Sequence, residues 1–199
     1  MVSTAKKPSR RTEPQRIYQL RVALDEIQPT IWRRLWVADT LTLAKLDRVI
    51  QAAMGWTNSH LHEFKIAGQR YGIPDDEWPD DNPPSDDRRS RIGPVLGDSV
   101  NEFSYLYDFG DHWQHTVKVE KVLKPNEINT WPTCLAGQNA CPPEDVGGIG
   151  GYSEFLEAVR DPTHDEHIAM WRWSGGPFDP AGFDVNATNA RSEERRVGK

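Results

Sequence analysis

From Ile17 to Leu24 apolar and polar positions alternate. Tyr18, Leu20, Val22 and Leu24 fall on one side and Gln19 and Arg21 on the other, the period-two signature of a strand with one buried face. Asp25 to Pro29 has turn composition, and Thr30 to Val37 predicts a second strand. There Ile31, Arg33, Leu35 and Val37 share one face, while Trp32, Arg34 and Trp36 line the other. An antiparallel hairpin is the simplest way to join the two. The period then changes. Between Thr40 and Met54, Leu43, Leu46, Val49, Ile50 and Ala53 recur at helical spacing, with Thr40 or Thr42 available as a cap and Gly55 as the stop. Residues 58–67 begin as a turn and end as a strand. Asn101 to Phe109 and His112 to Leu123 predict a further antiparallel pair centred on Gly110. In its second strand Trp113, His115, Val117 and Val119 lie on the apolar side, so His115 is expected to be buried and His112 accessible. Residues 95–100 read as a connector and 131–151 as loop throughout. Tyr152 to Arg160 and Asp165 to Trp173 predict two short helices. The expectation is one α+β domain, an antiparallel sheet of about five strands packed against one long helix and shorter C-terminal helices.

Composition adds the segments that the periodicity omits. With 15 Gly and 15 Pro in 199 residues and 37% hydrophobic content, long loops are expected. Residues 1–15 are polar and basic and predict a disordered arm ahead of a domain spanning 16–188. Residues 74–91 concentrate Asp75, Asp76, Glu77, Asp80, Asp81, Asp86 and Asp87 among prolines and arginines, which predicts a mobile, solvated acidic loop. The formal net charge is -6, yet residues 1–34 hold eight Lys/Arg against three acids. The body of the chain is therefore acidic, which argues against a broad nucleic-acid footprint and leaves the basic arm with Arg33 and Arg34 as a route to phosphate. No apolar run approaches the ~20 residues of a membrane span. Two cysteines without an export signal predict a cytoplasmic protein with free thiols.

The chemistry-bearing residues crowd into Tyr105–Glu120. Asp108, Asp111, His112 and Glu120 are candidates for acid–base catalysis: the first three flank the glycine turn, and a carboxylate beside an imidazole suits acid–base work near neutral pH. The competing reading is a turn whose aspartates bond their own backbone. His60 and His62 lie on one side of an extended segment, and Cys134 and Cys141 add two soft donors, so a zinc site of these four, or a His/Asp site, is a candidate if the fold brings the ligands together. Buried thiols and hydrogen-bonded imidazoles are the alternative. Glu144 and Asp145 close the cysteine loop and are candidate binding residues, together with Asp108, Asp111, His112, His115, Arg33 and Arg34. Gly147 to Gly151 precede a helix and carry a weak phosphate-loop signal, since no Lys-Ser/Thr follows. Trp32 and Trp36 read either as core under the first helix or as an aromatic surface beside the arginines.

Several runs resemble the plasmid pRiA4b ORF-3-like family: Pro29-Thr-Ile-Trp-Arg-Arg34, Val49-Ile-Gln-Ala-Ala-Met-Gly-Trp56, Ser59-His-Leu-His-Glu-Phe64, Tyr107-Asp-Phe-Gly-Asp-His-Trp113, Cys134-Leu-Ala-Gly137, Ala140-Cys-Pro-Pro-Glu-Asp145 and Phe178-Asp-Pro180. The resemblance implies an α+β domain of bacterial mobile elements and chromosomes, including TnpR-like passenger proteins of insertion sequences. A serine-recombinase activity does not follow, because the strand at 18–24 carries no serine. Residues 191–199 are similar to translated adaptor sequence, and 189–199 are expected to be a non-native or disordered tail. Three functions stay open: a noncatalytic binding module with a protein or nucleic-acid partner, a metal-dependent hydrolase or nuclease using Asp108–His115, and a DNA-binding accessory protein.

Overall fold

A computed structural model describes residues 13–74, 82–128 and 130–197. The expected alternation at the start of the chain becomes β1 (Ile17–Leu24), which pairs antiparallel with β2 (Trp32–Ala38). Helix α1 (Leu43–Met54) begins after Thr42, whose backbone is extended at the N-cap without a side-chain capping bond. It ends at Gly55, where a φ of 105° demands glycine. The chain continues through β3 (His62–Ile66), β4 (Gln69–Gly72), β5 (Ser85–Asp86), α2 (Ile92–Leu96), β6 (Glu102–Tyr107) and β7 (Trp113–Leu123). It closes with β8 (Thr133–Gln138) and helices α3 (Gly148–Arg160), α4 (His167–Trp173) and α5 (Val185–Val197).

The sheet has eight strands in the order β5-β4-β3-β6-β7-β1-β2-β8, rather than about five, and all pairings are antiparallel except β4–β5. The additional strands are short and lie at the two edges of the sheet or next to one. Segments β4 and β5 hold four and two residues, and β8 is the glycine-containing TCLAGQ run inside the segment read as loop. Each gains its ladder bonds from a neighbour already in place, so none needs an alternating pattern of its own. The connector at 95–100 likewise starts inside α2.

One face of the sheet carries Tyr18, Leu20, Val22, Leu35, Val37, Phe64, Tyr105 and Trp113, packed against Leu43, Leu46, Ile50 and Met54 of α1 and Tyr152, Phe155 and Val159 of α3. The opposite face is a half-buried polar and aromatic lattice. There Trp32 lies under the guanidinium groups of Arg21 and Arg34, each 5.2 Å from its ring centroid. Arg34 binds Glu120 through both oxygens (2.6 and 2.8 Å), and Gln19 links Glu120 to Trp36. Trp32 and Trp36 are thus not core under α1; strand alternation sends them outward.

Two segments depart from expectation. Of the acidic loop, 75–81 lie outside the described residues, but Asp86 belongs to β5 and Asp87 is wholly buried. From Asn189 to Val197 the chain is helical in α5 instead of disordered, and the Asn189 amide brackets the edge strand at Cys134, accepting from its N–H (2.8 Å) and donating to its carbonyl (2.9 Å).

Candidate functional site

The turn between β6 and β7 begins at Asp108, a buried residue with φ of 57°, a conformation aspartate tolerates through local bonding. Its Oδ1 accepts from the Gly110 N–H (2.8 Å), and its backbone N–H donates to Leu61 O (2.9 Å), stitching the turn to the segment entering β3. That segment carries His60. Its Nε2 lies 2.8 Å from Asp145 Oδ1, 3.5 Å from Asp108 Oδ2 and 3.8 Å from Glu144 Oε2. The approach to Asp145 is close but misaligned, so this solvent-shielded nitrogen has no directed hydrogen-bond partner.

Glu144 ties the cysteine loop to the His60 segment. Its Oε1 accepts from the Thr57 N–H (2.6 Å) and from the hydroxyls of Thr57 and Tyr107, both at 3.1 Å. The Tyr107 hydroxyl in turn accepts from the Ser59 N–H (3.1 Å), and its ring stacks on Trp56. Burial, followed by the Glu144 charge, raises the Tyr107 pKa well above its ordinary value, so the phenol remains a proton donor to the carboxylate. Sequence periodicity marks Tyr107 as core but gives no sign of this role.

Asp111 Oδ2 accepts from the Gly147 N–H at 3.1 Å, so a carboxylate of the chain itself occupies the start of α3 where a phosphate was considered. His112 is exposed, and its imidazole has no ion-pair partner among the described residues. His115 is fully buried, donating from Nδ1 to Trp113 O at 2.9 Å, and burial lowers its pKa to about 4. It is a core imidazole and does not reach the carboxylates around His60.

The four proposed zinc ligands do not converge. His62 belongs to an interior network: its Nε2 meets Asp87 Oδ2 at 2.8 Å, and its Nδ1 lies 3.4 Å from Asp47 Oδ1, which also accepts from Tyr105 OH at 2.7 Å. Burial raises the Asp47 pKa, an effect the His62 charge opposes. Cys134 and Cys141 are free thiols near Arg33, with Cys141 Sγ 3.2 Å from Met54 Sδ. Burial pushes the Cys134 thiol up and that of Cys141 to about 11, the reverse of what metal-ligating thiolates need. Among the described residues, the His/carboxylate set His60, Asp108 and Asp145 is the group whose donor atoms all lie within 4.8 Å of one another.

Neither Arg33 nor Arg34 is free for phosphate. Arg33 is 2% exposed and spends its donors on the carbonyls of Ala53, Trp32, Gln138 and Asn139, and Arg34 is held by Glu120. The basic arm through residue 12 lies outside the described residues. No helix among the described residues is long and apolar enough to cross a membrane.

A family model described as plasmid pRiA4b ORF-3-like protein matches residues 16–187. The uncharacterized protein y4hQ of Sinorhizobium fredii (strain NBRC 101917 / NGR234) is 43% identical over 175 residues, covering 87% of this chain and 89% of that protein. The crystal structure of the protein of unknown function MM3350 from Methanosarcina mazei Go1 superposes with a TM-score of 0.79 at 35% identity, covering 88% of this chain and 97% of that one.

Proposed function

The chain belongs to the plasmid pRiA4b ORF-3-like family, and from that premise we propose that it is a noncatalytic binding module of plasmids and mobile elements that holds a basic, partly apolar segment of a protein partner. A TnpR-like passenger role on insertion sequences and action in the cytoplasm belong to the same reading.

The observation that carries it is an acidic face with an apolar rim. The segments 57–61, 107–112 and 142–154 contribute Asp108, Asp111, Glu144, Asp145 and Glu154 and contain no Lys or Arg. On the same segments Leu61, Phe109 and Ile149 are 55%, 52% and 38% exposed. Large apolar side chains left in water beside carboxylates that pair with no Lys or Arg among the described residues suit a partner that supplies both a hydrophobic contact and positive charge. Against catalysis, His112 has no ion-pair partner among the described residues, His115 is sealed in the core, and Glu120 is held by Arg34 away from the turn.

The test is fluorescence anisotropy with a labelled peptide of alternating Lys/Arg and Leu. Binding that weakens with salt, and that Phe109→Ala or Asp111→Asn reduces by roughly tenfold, supports the reading. Equal binding of a Glu-substituted peptide, or no effect of either change, refutes it. The hydrolase reading draws support from one feature, the 69% exposure of the Asp145 side chain beside His60. It expects Mn²⁺-dependent cleavage of a phosphodiester substrate that Asp145→Asn abolishes.

A further inference from the structure

We propose that His60 Nε2, Asp108 Oδ2 and Asp145 Oδ1 form a divalent-cation site of the Zn²⁺/Mn²⁺ class, with Glu144 Oε2 next in reach. This goes beyond the partner reading and does not depend on it.

The spacing is the first ground. Donor atoms about 2.1 Å from a tetrahedral ion lie about 3.4 Å apart. The three oxygens around His60 Nε2 stand at 2.8, 3.5 and 3.8 Å, bracketing that value. The donor set is the second. One imidazole with carboxylates matches borderline metals such as zinc and manganese, whereas calcium and magnesium sites are built from oxygen alone.

The third ground is what the cluster lacks without a cation. Three carboxylates from two separate loops face one nitrogen, and no Lys or Arg side chain is paired with Asp108, Glu144 or Asp145 among the described residues. A protonated His60 would offset one charge, and its proton should then point at an oxygen. Instead Nε2 is closed to solvent and has no aligned acceptor, which leaves it open to a cation.

The supporting shell fits the same role. Asp108 is fixed through Oδ1 by Gly110, leaving Oδ2 toward His60, and Glu144 is fixed by Thr57 and Tyr107. Asp145 is the open side of the site, where solvent or a ligand can complete the coordination.

Untagged, chelator-treated full-length protein is titrated with ZnCl₂ and with MnCl₂ by calorimetry, alongside His60→Gln, Asp145→Asn and His112→Ala. The expected result is one ion per chain, with affinity lowered ~100-fold or more in the first two variants and unchanged in the third. Asp145 is exposed, so its variant reports on the site even if His60→Gln unfolds. Absence of stoichiometric binding in the wild type overturns the proposal. Equal loss in His112→Ala overturns it as well, by showing adventitious surface coordination.

Discussion

His60 and His62 are two residues apart, yet one stands at the edge of the acidic face and the other is locked between buried aspartates. Removing His62 strands Asp87 and Asp47 in the interior, so His62→Ala should cost about 3–5 kcal/mol in urea unfolding. His60→Ala in metal-free buffer should cost ~1 kcal/mol or less, because its side chain is 30% exposed and makes no aligned bond through Nε2. His115 adds a pH signature. Its pKa is about 4 folded against 6.5 unfolded, so the unfolded chain takes up the proton first as pH falls. The stability from the neutral core imidazole is complete above 6.5 and is lost between 6.5 and 4, up to about 3 kcal/mol. In His115→Gln the slope of unfolding free energy against pH across that window should flatten. An unchanged slope would show that His115 is not the group responsible.

At the scale of elements, the entry to α3 is the tightest junction. A Cβ on Gly151 would come 1.9 Å from Val146 O, and one on Gly148, at a φ of 66°, would come 2.6 Å from Asp111 O. Gly150 meets nothing within 4 Å. Gly150→Ala should therefore raise stability by about 0.5–1 kcal/mol through helix propensity, while Gly151→Ala should lower it by at least about 2 kcal/mol. Thermal unfolding of the two variants separates the cases, and similar shifts would contradict this account of the turn. A glycine cluster ahead of a helix looks the same in sequence whether it cradles a phosphate or lets two backbones approach. Only the position of Asp111 against Gly147 distinguishes them.

Across the whole molecule, the sheet order sets which strands open first. β1 and β7 lie inside the sheet, bonded on both sides, whereas two-residue β5 terminates it. Hydrogen exchange should be slowest for the amides of Ile17–Leu24 and Trp113–Val117 and fastest in Ser85–Asp86. Faster exchange in β1 than in β5 would refute the strand order. The half-buried outer face of this sheet holds its arginines by Glu120 and Trp32, which removes Arg34 from the DNA-binding surface considered from sequence.

Local pattern was enough for β1, α1, the β6–β7 pair, the burial of His115 and the exposure of His112, because alternation and helical spacing record which side of an element meets the core. It was not enough for β8, whose strand state depends on pairing with β2, nor for the eight-stranded width of the sheet. The same limit governs the site. Sequence marked His60, Asp108, Glu144 and Asp145 as residues able to do chemistry, but also His62, Cys134 and Cys141. Which of them meet is decided by Leu61 bonding to Asp108 and by Glu144 bonding to Thr57 across 87 positions. Contacts between distant segments leave no periodic trace in either one, so only the tertiary structure could bring His60 to the carboxylates and leave the thiols beside Arg33.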